Sequence, residues 1–181
     1  LSLVGAGSAT LLFAQQGRPA APPEPPITFG VMDFSTRVGS FKILSVNDKN
    51  KARGTLTMSF NGSVLIVGLE GTVTPGSGVR EEYNDPKHER QCFFGKGTLS
   101  ITGKWRAIQF FGRDFSGRWN GFGVARLYGE FDDKLETGTY TIEGFDSEPW
   151  GSGGRTIILP REKTGQQLGK PKVEDVKKKP G

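Results

Sequence analysis

The chain has 181 residues and a formal net charge of +5, a length that suits one domain with a substantial core and is too short for two. Residues 161–181 hold seven basic and three acidic residues, so most of the excess charge lies in this tail. The remainder is close to neutral, whereas nucleic-acid-binding domains carry a basic stripe on their folded surface. We therefore expect no nucleic-acid partner.

The two ends of the chain differ in composition from its middle. Residues 1–14 are uncharged and largely apolar, which is typical of a secretory signal peptide, although an uncleaved anchor is the alternative. Residues 15–26 form a Pro-rich linker, and the basic tail 161–181 has the composition of a disordered segment. The sequence thus predicts a secreted or periplasmic protein with one domain at residues 27–160. Membrane contact is expected only through the N-terminal segment or the tail.

The middle of the chain has the composition of an all-β protein. It is rich in Gly, with 27 in the chain, and Phe is the leading aromatic with 13. Short alternating runs are separated by turn residues, and helical periodicity is almost absent. We expect a single antiparallel meander of about ten short strands that forms a barrel or a jelly-roll-like sandwich.

Three segments predict local features of this sheet. Asn61-Gly62 and Asn120-Gly121 are strong signals for two-residue hairpin turns. Residues 64–67 are apolar on both faces, which indicates a strand that is central or covered on both sides. The polar segment 74–91 is longer than an ordinary connection, which predicts either a functional or a mobile loop.

Few residues suit catalysis or metal binding. The single His88 and the single Cys92 cannot form a structural zinc site, and one cysteine permits no intramolecular disulfide. His88 is expected to be a solvated loop residue rather than the base of a Cys–His pair. Carboxylates at the turns lack the spacing of a calcium loop. We expect no catalytic residues, no metal, no cofactor and no enzymatic activity.

Residues 104–131 interleave aromatic and basic side chains and are the best candidate for a binding site. Alternation along half-buried strands would place the rings in the core and the cations in solvent. The other interpretation is a stacking platform for a ligand. The candidate ligand-binding residues are Trp105, Arg106, Arg118, Trp119, Arg126 and Trp150.

Two functions remain open from the sequence alone. The first is a non-enzymatic structural or accessory subunit of a cell-envelope or extracellular assembly, whose partners are other subunits or further copies of this chain. The alternative is a barrel or sandwich module that binds an anionic glycan or a lipid.

Overall fold

The computed structural model describes residues 27–129, 138–150 and 153–161. The predicted signal segment, the Pro-rich linker and all of the basic tail except Arg161 lie outside the described residues. Within those residues the protein is all-β, with nine strands, one 3-10 turn and no α-helix, which confirms the predicted fold class.

The strands differ greatly in length, and four of them are unusually long. They are β1 (Gly30–Leu44), β2 (Ala52–Val67), β3 (Glu70–Pro75), β4 (Val79–Asp85), β5 (Arg90–Trp105), β6 (Ala107–Gly129), β7 (Gly138–Ile142), β8 (Glu148–Pro149) and β9 (Arg155–Leu159). The predicted loop at 74–91 contains β4 and a 3-10 turn at Pro86–His88, and β4 pairs with β5. Most of this segment is therefore a hairpin on the sheet.

All strands belong to one open antiparallel sheet in the order β3-β5-β2-β6-β1-β7-β8, with β4 also on β5 and β9 also on β6. β2 lies between β5 and β6, so the predicted central position of residues 64–67 is confirmed. β1 lies beside β6 rather than β2. It contacts β6 twice, because Phe41 pairs with Phe110 on one side and with Leu127 on the other.

The long strands bend so sharply that the sheet folds over on itself. The rings of Phe34 and Phe41, seven residues apart in β1, have centroids 5.2 Å apart. A straight strand would separate them by about 23 Å. The centroids of Phe110 and Phe115 in β6 are 4.5 Å apart for the same reason. Two layers result, with the core between them.

Each layer contains parts of the same long strands. The first layer is made of β3, β7 and residues 97–105, 52–60, 115–122 and 30–36. The second layer is made of β4, β9 and residues 90–96, 61–67, 107–113, 39–44 and 124–129.

Glycines line up across neighbouring strands in two rows. The row within the first layer is Gly71, Gly103, Gly54, Gly121 and Gly30. The row beside the fold between the layers is Gly95, Gly62, Gly112, Gly39 and Gly129. The predicted hairpins at Asn61-Gly62 and Asn120-Gly121 are wrong, because both pairs lie inside continuous strands. Their glycines let the backbones of neighbouring strands approach closely.

Candidate functional site

The three predicted tryptophans lie in the core. Trp105 and Trp119 are 0% exposed and Trp150 is 1% exposed. The Trp150 indole donates a hydrogen bond to the carbonyl of Thr139, and its ring fills the space beside Gly129 and Gly138. The indole nitrogens of Trp105 and Trp119 have no hydrogen-bond partner among the described residues. In this structure none of these three rings is accessible for stacking on a ligand. This agrees with the interpretation that strand alternation places the rings in the core.

The three predicted arginines are exposed but lie in different places. Arg106 forms the turn between β5 and β6 and donates to Glu89 at 2.6 Å. Arg118 lies on the outer face of the first layer, and Arg126 lies on the outer face of the second. The structure therefore does not bring the six predicted residues together into one site. Ligand binding by this set stays a prediction.

Aromatic residues that the sequence analysis did not select project from the second layer. Phe111 is 71% exposed, Phe94 is 45% exposed and Tyr128 is 44% exposed. Phe111 is opposite both Ser40 and Ser63, and these serines are opposite Tyr128 and Phe94 respectively. The rings therefore form one row across five strand segments, separated from each other by a serine. Two strand widths, about 9.6 Å, separate neighbouring aromatic positions.

Pairs of adjacent phenylalanines in the sequence predict the outward rings of this row. Phe93-Phe94 and Phe110-Phe111 are adjacent pairs within strands. Because successive strand residues point to opposite faces, one ring of each pair must leave the core. Phe93 and Phe110 are buried, and their neighbours are exposed.

A cationic row runs beside the aromatic row. Lys42 is opposite Arg126 on one side and Gln109 on the other, and Arg126 is also opposite Thr156. On the far strands the same row continues through Leu65, Cys92 and Tyr83. No carboxylate occupies a paired position of either row among the described residues. Glu82, at the bulge of β4 beside Cys92, is ion-paired with Arg80, which is opposite Phe94. We call the two rows together the aromatic face.

The outer face of the first layer has a different chemistry. It forms a groove of about 720 Å³ that crosses β7, β1, β6, β2 and β5. We call this the hydroxyl groove. Seven of its lining residues are serines or threonines: Ser35, Thr57, Ser59, Thr98, Ser116, Thr139 and Thr141. In its middle, Arg118 donates to both carboxylate oxygens of Asp33, at 3.0 and 3.3 Å.

The titratable side chains singled out from the sequence form local contacts. His88 Nδ1 lies 2.5 Å from Asp85 Oδ2, and this hydrogen bond lowers the pKa of Asp85. Cys92 is half-buried on β5, and burial raises the pKa of its thiol, with a smaller contribution from Glu82.

The described residues contain no group of three or more His, Cys, Asp or Glu that could hold a metal ion. They also contain no helix of the length and hydrophobicity needed to cross a membrane.

A polar cluster holds the end of β9 against β7. The Tyr140 hydroxyl donates to Glu148 at 2.6 Å, and Arg161 donates to the other carboxylate oxygen at 3.2 Å. Burial, followed by the hydrogen bond to Glu148, raises the pKa of Tyr140 to about 12. The Tyr140 hydroxyl, followed by Arg161, lowers the pKa of Glu148. A raised tyrosine pKa does not favour a nucleophile, so we interpret the cluster as structural.

The chain matches no family model, and it has no significant match among curated proteins or solved structures.

Proposed function

We propose that the protein is a non-enzymatic accessory subunit that docks through its aromatic face onto a protein partner bearing carboxylates. The observation that carries this proposal is the exposure of Phe111 in one cross-strand row with Phe94 and Tyr128. The setting predicted from residues 1–14, a cell envelope or the extracellular space, belongs to the same proposal.

The composition of the aromatic face supports a protein partner. Single exposed apolar side chains are ordinary, but contiguous apolar patches mark interaction sites. In the row beyond Lys42 and Arg126, the outward positions on β9, β6, β1 and β2 are aliphatic and include Ile158, which is 59% exposed. The row ends at Arg90 and Asp85 on β5 and β4. Rings with few rotatable bonds on rigid strands are suited to act as interface anchors, because little conformational entropy is lost when they bind.

The charge of the face favours a different protein over a second copy of this chain. A two-fold pairing of this face would bring Lys42 and Arg126 against a surface whose rows have no carboxylate at a paired position, and the neighbouring Glu82 is already ion-paired with Arg80. Like charges that lose solvent without a partner destabilise an interface. A partner with Asp or Glu beside apolar side chains would match both rows.

Site-specific photo-crosslinking in cells of the source organism tests this proposal. A photoreactive phenylalanine analogue replaces Phe111 in one variant and Phe29 in the control. Phe29 is 46% exposed and lies in neither row of the aromatic face. We expect one discrete, protease-sensitive adduct from position 111 and none from position 29. The adduct should disappear when Lys42→Glu and Arg126→Glu are added.

Four outcomes would contradict the proposal. They are no adduct at position 111, equal adducts at both positions, an adduct with the mass of two copies of the chain, and a protease-resistant adduct to lipid or glycan. The last result would support the alternative binding module predicted from the sequence. Circular dichroism of each variant establishes that the fold is retained.

A further inference from the structure

We propose that the hydroxyl groove binds a neutral polysaccharide chain, independently of the aromatic face. Most of the side chains that line it are short, and all of its lining residues lie on the strands of the sheet. Exposed sheet faces usually carry many Lys and Glu side chains, whose ordering costs considerable conformational entropy. In this groove only Arg118 and Asp33 are charged, among thirteen lining residues. The serine and threonine side chains of the groove lose less conformational entropy than Lys or Glu when a ligand binds.

The hydroxyls are arranged in register across the strands. Thr57 Oγ1 and Ser100 Oγ are 3.4 Å apart, and Ser35 Oγ and Thr139 Oγ1 are 3.5 Å apart. A hydroxyl can both donate and accept a hydrogen bond, as can each hydroxyl of a sugar. The groove therefore presents the same hydrogen-bonding chemistry as the ligand we propose, repeated from strand to strand.

The charge balance of the groove favours a neutral chain. Arg118 is the only cation in the lining, and it is bonded to both oxygens of Asp33. An anionic polymer would gain no net attraction and would compete with Asp33 for this guanidinium. Electrostatic complementarity is what attracts charged polymers, so the balanced pair disfavours them. This differs from the anionic glycan expected from the sequence.

The dimensions of the groove suit several sugar units. It crosses five strands, which corresponds to about 19 Å at a spacing of about 4.8 Å between strands. Its volume of about 720 Å³ lies within the range of ligand sites in proteins.

A protein partner is disfavoured at the groove because apolar anchors are missing. Phe34, Met58 and Tyr140 are among its lining residues, but they are 3%, 2% and 4% exposed. Protein interfaces depend on accessible apolar or aromatic side chains at their centres. The groove instead offers hydrogen-bonding groups along its length, which suit a ligand chain that is itself rich in hydroxyls.

Calorimetric titration with purified polymers tests the proposal. The neutral probes are hydroxyethylcellulose, galactomannan, soluble β-1,3-glucan and dextran, and the anionic probe is sodium polygalacturonate. We expect at least one neutral polymer to bind. The double variant Thr57→Val with Ser116→Ala should weaken that binding about tenfold or more, because it removes two hydroxyls from the groove.

A matched control separates the groove from the rest of the same layer. Thr72→Val with Thr102→Val removes two outward hydroxyls that do not line the groove, and it should leave the affinity unchanged. Phe111→Ser should also bind normally, so failure of this proposal and failure of the proposed docking function are distinguishable. Binding should be nearly insensitive to salt, because no net charge is involved.

The proposal would be overturned by the absence of binding to all four neutral polymers. Undiminished affinity in the Thr57→Val, Ser116→Ala variant would overturn it too. So would preferential binding of polygalacturonate that weakens steeply as salt is added.

Discussion

Replacing Gly54 by alanine tests whether the glycine rows are needed for the close approach of neighbouring strands. Gly54 has a φ of +127°, a conformation that L-residues rarely adopt. A Cβ atom there would lie 2.1 Å from the carbonyl oxygen of Asn120 and 2.6 Å from the Cα of Gly121. Both contacts are with the backbone of β6, so no side-chain rotation can relieve them.

The expected cost combines two effects. A non-glycine residue in a sparsely populated conformation costs about 1 to 3 kcal/mol. Overpacking that forces the backbone to shift costs about 1 to 3 kcal/mol more. We therefore expect Gly54→Ala to lower the free energy of unfolding by about 2 to 6 kcal/mol, out of a typical total of about 5 to 15 kcal/mol.

Urea denaturation followed by tryptophan fluorescence measures this change, since Trp105 and Trp119 are both fully buried. With a slope of about 2 kcal/mol per molar urea, the midpoint should fall by roughly 1 to 3 M. Gly153→Ala is the control, because no described residue other than its chain neighbour lies within 4 Å of a Cβ atom at this position, and it should change stability by less than about 0.5 kcal/mol. A loss below about 1 kcal/mol for Gly54→Ala would refute the reasoning.

Three further predictions follow from burial and hydrogen bonding. Trp119→Ala should lower the free energy of unfolding by about 3 to 5 kcal/mol in urea denaturation, because the ring is fully buried. Phe111→Ser should change the free energy of unfolding by less than about 0.5 kcal/mol in the same assay, because that ring is mostly in solvent. The pKa of Glu148 is lowered in the folded state by Tyr140 and Arg161, so its stabilising contribution is present above its unfolded value of 4.5 and is lost as the pH falls. Glu148→Gln should therefore make thermal stability less dependent on pH between neutrality and acid, and an unchanged acid dependence would contradict this assignment.

The fold class could be predicted because it depends on local patterns. Alternation and turn residues are properties of short windows, so the all-β architecture and the central position of residues 64–67 were accessible from the sequence. The burial of Trp105 and Trp119 follows from the same alternation. None of these inferences requires knowledge of which strands are neighbours.

The hairpins were mispredicted because the role of a glycine depends on its partners in other strands. Asn61-Gly62 has the sequence of a tight turn, but Gly62 is opposite both Gly95 and Gly112. Such a row is visible only once the register is known, since its members are far apart in the chain. The strand order also depends on long-range pairing, and the composition of single segments does not determine it.

The candidate sites were missed for a related reason. Residues 104–131 suggest a ligand-binding site made of tryptophans and arginines. The exposed rings instead come from β5 and from two separate parts of β6. The doublet Phe110-Phe111 carried the necessary information, because one of two adjacent strand residues must face outward. The hydroxyl groove combines residues from five strands. Serine and threonine alternate with other residues in 55–59, 98–102 and 137–141, but the sequence does not show that these strands lie in one layer.

Hydroxyl-radical footprinting tests the central claim, that the aromatic face is a docking surface, most directly. The oxidation of Phe94, Phe111 and Tyr128 is compared between the purified chain and the chain inside cells of its source organism, with Phe29 as the internal control. All four side chains have substantial exposure in the isolated chain. We predict that the three rings of the aromatic face become strongly protected in cells while Phe29 does not. Equal oxidation of the three rings in both settings would contradict the account.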